Sequence, residues 1–103
     1  MRAVLESGAL TMGPKVEELE QLVAAACGVE HAVAVANGTA ALHLAVLALE
    51  IGEGDEVIVP AYTFPATANV VLLAGATPVL VDVDPATFNL DLGKVYDAVT
   101  PRT

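Results

Sequence analysis

Between Val57 and Val81 the sequence carries no charged side chain, and that run is broken by Pro60, Pro65, Gly75 and Pro78. On length alone it reaches the about 20 apolar residues that span a bilayer. Three prolines, however, would cut one continuous helix into pieces, and the flanks are acidic where a membrane segment needs positive charge. The run therefore reads as strand, helix, strand: Glu56 to Val59 closed by Pro60, a helix from Pro65 through Ala74 stopped by Gly75, and a strand from Thr77 to Val83. Near-continuous apolar strands joined by a helix imply parallel pairing in a sheet covered on both faces.

The rest of the chain extends the pattern. Met1 to Gly13 is weakly patterned, with Gly8, Gly13 and Pro14 suggesting a loop. Pro14 then suits the first turn of a helix along which Val16, Leu19, Leu22, Val23, Ala26 and Cys27 recur, and Gly28 ends it. Ala32 to Ala36 reads as a short strand broken by Asn37-Gly38. Thr39 is placed to cap a second helix running to about Leu49. After the Asp84-Pro85 turn, Asp91 to Val99 reads as a last helix with Leu92, Val95, Tyr96 and Val99 inward. The fold class is α/β: a helix followed by three strand–helix units.

Composition fits such a layer. Apolar residues make up 55% of 103 residues and aromatics 4%, with a mean hydropathy of +0.65. A domain this small buries only about two-thirds of the surface of its unfolded chain, so the sequence expects further protein around it. The net charge of −9 comes from 13 acidic and 4 basic residues, which leaves no basic stripe for nucleic acid or for an anionic membrane surface. The single Cys27 excludes an internal disulfide and suits a reducing cytoplasm. On the apolar face of its helix it reads as a small buried hydrophobe.

In open parallel sheets, ligands gather beyond the C-terminal ends of strands. Asn37-Gly38-Thr39-Ala40-Ala41 lies there: Gly38 allows close backbone approach, Thr39 and Ala40 offer amide protons at a helix start, and the Thr39 hydroxyl adds a donor. A phosphate would be at home on it; an ordinary capped helix explains the same residues. Phe64, flanked by Tyr62 and Thr63, could stack on a planar heterocycle, or be a core residue. Asp82 and Asp84 read as structural, with Asp84-Pro85 forming a turn. His31 and His43 have no partners at metal-ligand spacing, so no metal is expected, and His43 reads as a core residue. Ser7 has no evident base.

Taken in order, several segments resemble one family. They are Ser7-Gly8 with Thr11, Gly13 and Pro14; Gly28-Val29-Glu30-His31-Ala32-Val33-Ala34-Val35; Asn37 to Leu44; Gly54-Asp55-Glu56-Val57-Ile58-Val59-Pro60; Thr63-Phe64 with Ala66 to Asn69; Gly75-Ala76-Thr77-Pro78; Val81 to Asp84; and Thr100-Pro101-Arg102-Thr103. This is similar to the DegT/DnrJ/StrS sugar aminotransferases, which use pyridoxal 5'-phosphate (PLP) on the fold-type-I aspartate aminotransferase scaffold. The resemblance implies that Gly38, Thr39 and Ala40 bind the PLP phosphate, that Phe64 stacks on the pyridine ring, and that Thr11 and Gly13 lie near the sugar-nucleotide substrate. It implies a cytoplasmic homodimer that moves an amino group, commonly from glutamate, onto a nucleotide-linked keto-sugar. Relatives that are PLP-dependent sugar dehydratases, or a non-catalytic self-associating module, are the alternatives.

The resemblance also places the Schiff-base lysine and the aspartate that holds the pyridine nitrogen in motifs beyond this sequence. Lys15 and Lys94 do not match that lysine, so no catalytic residue is expected in the chain. The expected organisation is an N-terminal loop segment at 1–13 and a partial PLP-binding large domain at 14–103, without the small C-terminal domain: a fragment, inactive alone.

Overall fold

The computed structural model describes all residues, Met1–Thr103, as two compact units, Met1–Ala36 and Asn37–Thr103. No helix is long and apolar enough to cross a membrane.

The first unit contains α1 (Arg2–Ser7) and α2 (Pro14–Cys27). α1 replaces the expected loop. Its residues favour helix, Arg2 and Glu6 pair one turn apart at 2.7 Å, and Gly8 ends it at φ 70, a left-handed conformation that glycine adopts without strain. α2 begins and ends as its sequence dictates. Pro14 occupies the first turn, and the Gly28 amide at φ 67 donates back to Ala24 and Ala25. Only Ala24 is buried along α2, while Leu19, Leu22 and Val23 are exposed. Cys27 is also exposed, not buried as expected.

The strand expected at Ala32–Ala36 does not form. A strand exists only through a paired neighbour, and here the Ala34 amide donates instead to the Glu20 carboxylate of α2 at 2.7 Å. The segment pairs with no strand.

The second unit is a helix, then strand–helix–strand–helix: α3 (Gly38–Ala48), β1 (Glu56–Pro60), α4 (Ala66–Leu73), β2 (Thr77–Val81) and α5 (Leu92–Ala98). β1 and β2 pair in parallel, with Glu56 opposite Thr77 and Pro60 opposite Val81. The Thr77 amide donates to Asp55 at 2.9 Å, so Pro78, one residue out of phase, sits where its missing N–H is not needed. β2 stops two residues short of the expected Val83, which instead makes one antiparallel bridge with Leu90.

α4 crosses between the strands and packs on both of them and on α3. The core lies under it: Val59 of β1, Val70 and Val71 of α4, and Ala76, with Val46, Ile51, Val57 and Ala68 packed around them. α5 packs on β2. Its expected inward face is not met, because Leu92, Tyr96 and Val99 are exposed. With only β2 against it, the helix half-buries just Val95 and Ala98.

Candidate functional site

The turn into α3 is built by Asn37. Its backbone is extended (φ −166), its side-chain Oδ1 accepts from the Ala40 amide at 2.9 Å, and its carbonyl accepts from Ala41 at 3.2 Å. Asn37 is thus the cap, two residues earlier than the Thr39 cap expected from sequence. Asparagine is the stronger N-cap of the two, which was the available signal. The Ala40 amide is therefore occupied, a correction to the expectation that it is unpaired. The Gly38 and Thr39 amides and the Thr39 hydroxyl make no hydrogen bond within the chain.

Phe64 is not a core residue: it is 75% exposed. It shares an open cavity of about 490 Å³ with Gly38, Thr39, Ala41, Leu42, Ala66 and Thr67. The sequence brings these together through two turns that each open a helix. One leads into α3 and the other, after β1, leads into α4. Ala66 and Thr67 are the first residues of α4, so the starts of two helices line one cavity. Each carries a partial positive charge of about half a unit at its N-terminus. No ionisable side chain lines the cavity. Unpaired amides, a hydroxyl and an aromatic face make it suited to an anion joined to a flat apolar ring. Sequence reasoning did not single out Ala66 and Thr67 as lining residues, although a second helix start after a strand is the same signal that marked Gly38 and Thr39.

Of the two residues expected near substrate, Gly13 lines a separate apolar cavity of about 290 Å³ in the first unit, together with Val4, Ser7, Leu10 and Met12. Thr11 is exposed and does not line it. Gly13 also has a packing reason to be glycine, because a Cβ there would meet the Ala9 carbonyl oxygen at 3.0 Å.

The carboxylates read as structural are so. Asp84 Oδ1 accepts from the Ala86 and Thr87 amides at 2.9 and 2.8 Å and from the Thr87 hydroxyl at 3.2 Å. The Thr87 amide, then the Ala86 amide, hold its carboxyl below the ordinary carboxylate range. Asp82 holds Lys94 at 3.0 Å, and this hydrogen bond raises the Lys94 pKa above its ordinary value. Lys94 lines a different cavity from Thr39 and Phe64, one shared with Asp82 and Asp97. Lys15 pairs with Glu18 on the exposed face of α2. His43 is half-buried on α3 and His31 is exposed.

Residues 1–103 match the DegT/DnrJ/EryC1/StrS aminotransferase family along their whole length. The chain belongs to this family. Among curated relatives, it is 57% identical over 93 residues to GDP-perosamine synthase of Caulobacter vibrioides, an alignment covering 90% of this chain and 25% of that protein. Among solved structures, S. venezuelae DesV superposes with a TM-score of 0.93 at 46% identity, covering 99% of this chain and 28% of DesV. The Bacillus subtilis protein ntda, solved with bound cofactor PMP, gives 0.94 at 40% identity, covering 99% of this chain and 23% of ntda. This DegT/DnrJ/EryC1/StrS chain thus spans about a quarter of the length of these relatives.

Proposed function

We propose that the chain is the cofactor-phosphate-binding part of a PLP-dependent aminotransferase that moves an amino group, with glutamate as donor, onto a nucleotide-linked keto-sugar. One observation carries this reading: Gly38 and Thr39, whose amides are unpaired along with the Thr39 hydroxyl, line one cavity together with the exposed Phe64. The residues present fit PLP. The start of α3 would receive the phosphate, through the Gly38 and Thr39 amides and the Thr39 hydroxyl, with its dipole favouring the dianion. Ala40 would contribute through the same helix start, its own amide being given to Asn37. Phe64 would cover the ring. Bound there, the cofactor supplies an aldehyde to carry the amino group and a ring that draws electrons away from the reacting carbon.

GDP-perosamine synthase is the name of a 57% identical relative, and it supports a nucleotide-linked sugar as substrate. Thr11 and Gly13 stay in this reading as its contacts. The chain alone is inactive. A Schiff-base amine must lose its proton to attack, and the ion pair with Asp82 makes Lys94 harder to deprotonate.

Spectroscopic titration with PLP and with pyridoxamine phosphate tests the reading. Both are expected to bind, inorganic phosphate to compete, and phosphate-free pyridoxamine to bind far more weakly. Thr39→Val removes a hydrogen bond to a charged group, about 1.5–3 kcal/mol, and is expected to weaken binding at least about tenfold. Equal affinity for the phosphate-free compound would sink the reading. Amino transfer by the chain alone, abolished by replacing Lys94 or Lys15, would overturn its inactivity.

A further inference from the structure

The turn that carries Phe64 is thinly held by its own backbone. Its start is fixed by the Ala61 amide donating to Val81 at 2.8 Å, and its end by the Thr67 amide donating to the Phe64 carbonyl at 3.2 Å. Between these anchors, the amides of Tyr62, Thr63 and Phe64 make no hydrogen bond within the chain. A contact of another kind sits in this gap. The Tyr62 ring packs on the Phe88 ring, with centroids 5.6 Å apart and planes tilted by 39°.

Phe88 stands on a firm base. Its amide donates to the Asp84 carbonyl at 2.8 Å, and the Asp84 amide donates to Asn89 at 2.8 Å. The Asp84 carboxylate closes the loop through Ala86 and Thr87. Phe88 also adopts φ 58, a left-handed conformation that is strained for a bulky residue and easy for glycine. A large aromatic kept at a backbone position suited to glycine points to a use for its ring. That ring touches Tyr62, one of the two turn residues, with Thr63, that lie between Phe64 and the nearest backbone anchor before it.

We propose that Phe88 and Tyr62 are positioning residues, whose ring contact fixes the turn that presents Phe64 to the cavity shared with Thr39. The inference rests on the reading of that cavity as the cofactor site. It does not make either residue a contact of the cofactor. Losing an aromatic pair of this kind leaves the turn tethered only at its ends, so Phe64 samples a wider arc and covers the ring less of the time.

The chain contains no tryptophan and two tyrosines, so Phe64→Trp introduces a single indole, excited apart from the tyrosines at its red edge, while keeping an aromatic face. In that background, the nanosecond anisotropy decay of the introduced indole reads the mobility of the turn. Quenching by pyridoxamine phosphate, which lacks the aldehyde that reacts with lysines, reads binding. Phe88→Gly is expected to raise the amplitude of fast indole motion and to weaken pyridoxamine phosphate binding by about three- to tenfold. Its far-UV spectrum and melt should be retained, since glycine relieves the strained φ. Phe88→Tyr is expected to restore both readouts. Tyr62→Leu disturbs no strained backbone and should reproduce Phe88→Gly, and it decides the matter if Phe88→Gly fails to fold. Unchanged indole motion in the folded variants overturns the proposal, even where quenching persists. Absence of pyridoxamine phosphate binding by the chain that keeps Phe64, measured by calorimetry, with the indole motion of the tryptophan variants still responding to Phe88, overturns the cofactor reading and leaves the positioning role standing.

Discussion

Two glycines separate what a residue does for the fold from what it does for a ligand. A Cβ built on Gly38 meets nothing within 4 Å, and alanine is the better helix former by about 1 kcal/mol. Gly38→Ala is therefore expected to leave the melting temperature unchanged or slightly raised. The same methyl would stand between the α3 amides and an approaching phosphate, so pyridoxamine phosphate should bind about tenfold or more weakly. Unaltered binding would mean that the amides of α3 are not the anion site. Gly13→Ala should behave in the opposite way. Its Cβ would press on Ala9 at 3.0–3.2 Å, a clash that costs about 1–3 kcal/mol, with no effect on the α3 cavity beyond that of lost folded protein. Thermal melts beside the quenching titration check both. That Gly38 and Thr39 open a helix after a turn, with amides left free at its start, was legible from sequence because Asn37-Gly38 breaks the preceding segment and the first amides of any helix lack intrahelical partners. The role of Asn37 was not, since which of three adjacent polar or small residues caps a helix depends on where the backbone turns.

Among elements, the sequence was most readable where a local residue type sets the boundary. Pro14 and Gly28 bracket α2, Pro65 and Gly75 bracket α4, and Asp91 caps α5 by accepting from Gly93 and Lys94. It was least readable where an element depends on a distant neighbour. The alternating Ala32–Ala36 segment has strand-like composition but no strand beside it. α1 lacks a capping side chain and shows itself only through its Arg2–Glu6 pair and Gly8. The loop after β2 and the tether of residues 100–103 to β1 depend on ionised carboxylates, which gives them a pH signature. Glu56 is held below its ordinary 4.5 by the Thr100 hydroxyl, partly opposed by desolvation, and by Arg102. Asp84 is held below 3.8 by the Thr87 and Ala86 amides. Both folded pKa values lie under the unfolded ones. Their contribution is thus present above about pH 4.5 and is lost as pH falls through the folded values. Lys94, raised above 10.5 chiefly by its hydrogen bond to Asp82, contributes fully below that pH and loses its contribution as pH rises through the folded value. Melting temperature is expected to be flat near neutrality and to fall below about pH 4.5. Glu56→Gln and Asp84→Asn keep an acceptor oxygen but do not titrate, so each should flatten that acid limb. An acid limb unchanged in both would show that other groups set it.

At the scale of the whole chain, hydrophobic content exceeds what the fold hides. α3 is apolar around most of its circumference, and such a helix needs cover on more than one side. It packs on α4, yet Leu42, Leu44 and Leu47 remain about half exposed. Leu72 and Leu73 of α4 and Leu80 of β2 are likewise exposed. The high mean hydropathy had already indicated this surplus; which faces carry it required the structure, because periodicity cannot choose a buried side on a helix that is apolar all round. Surfaces of this kind associate in water, while a net charge of −9 repels like chains until salt screens it. The chain is therefore expected to self-associate, and more strongly as salt rises from about 0.01 M, where the Debye length is about 30 Å, to 0.15 M, where it is about 8 Å. Leu44→Glu with Leu47→Glu places charge on half-exposed positions of α3 and should shift the population toward monomer and lower the binding of an apolar dye. The Val59, Val70, Val71 and Ala76 cluster would stay intact. Sedimentation velocity at the two salt concentrations measures the effect. A monomer at both, with no dye bound, would mean that these leucines are satisfied within a single chain.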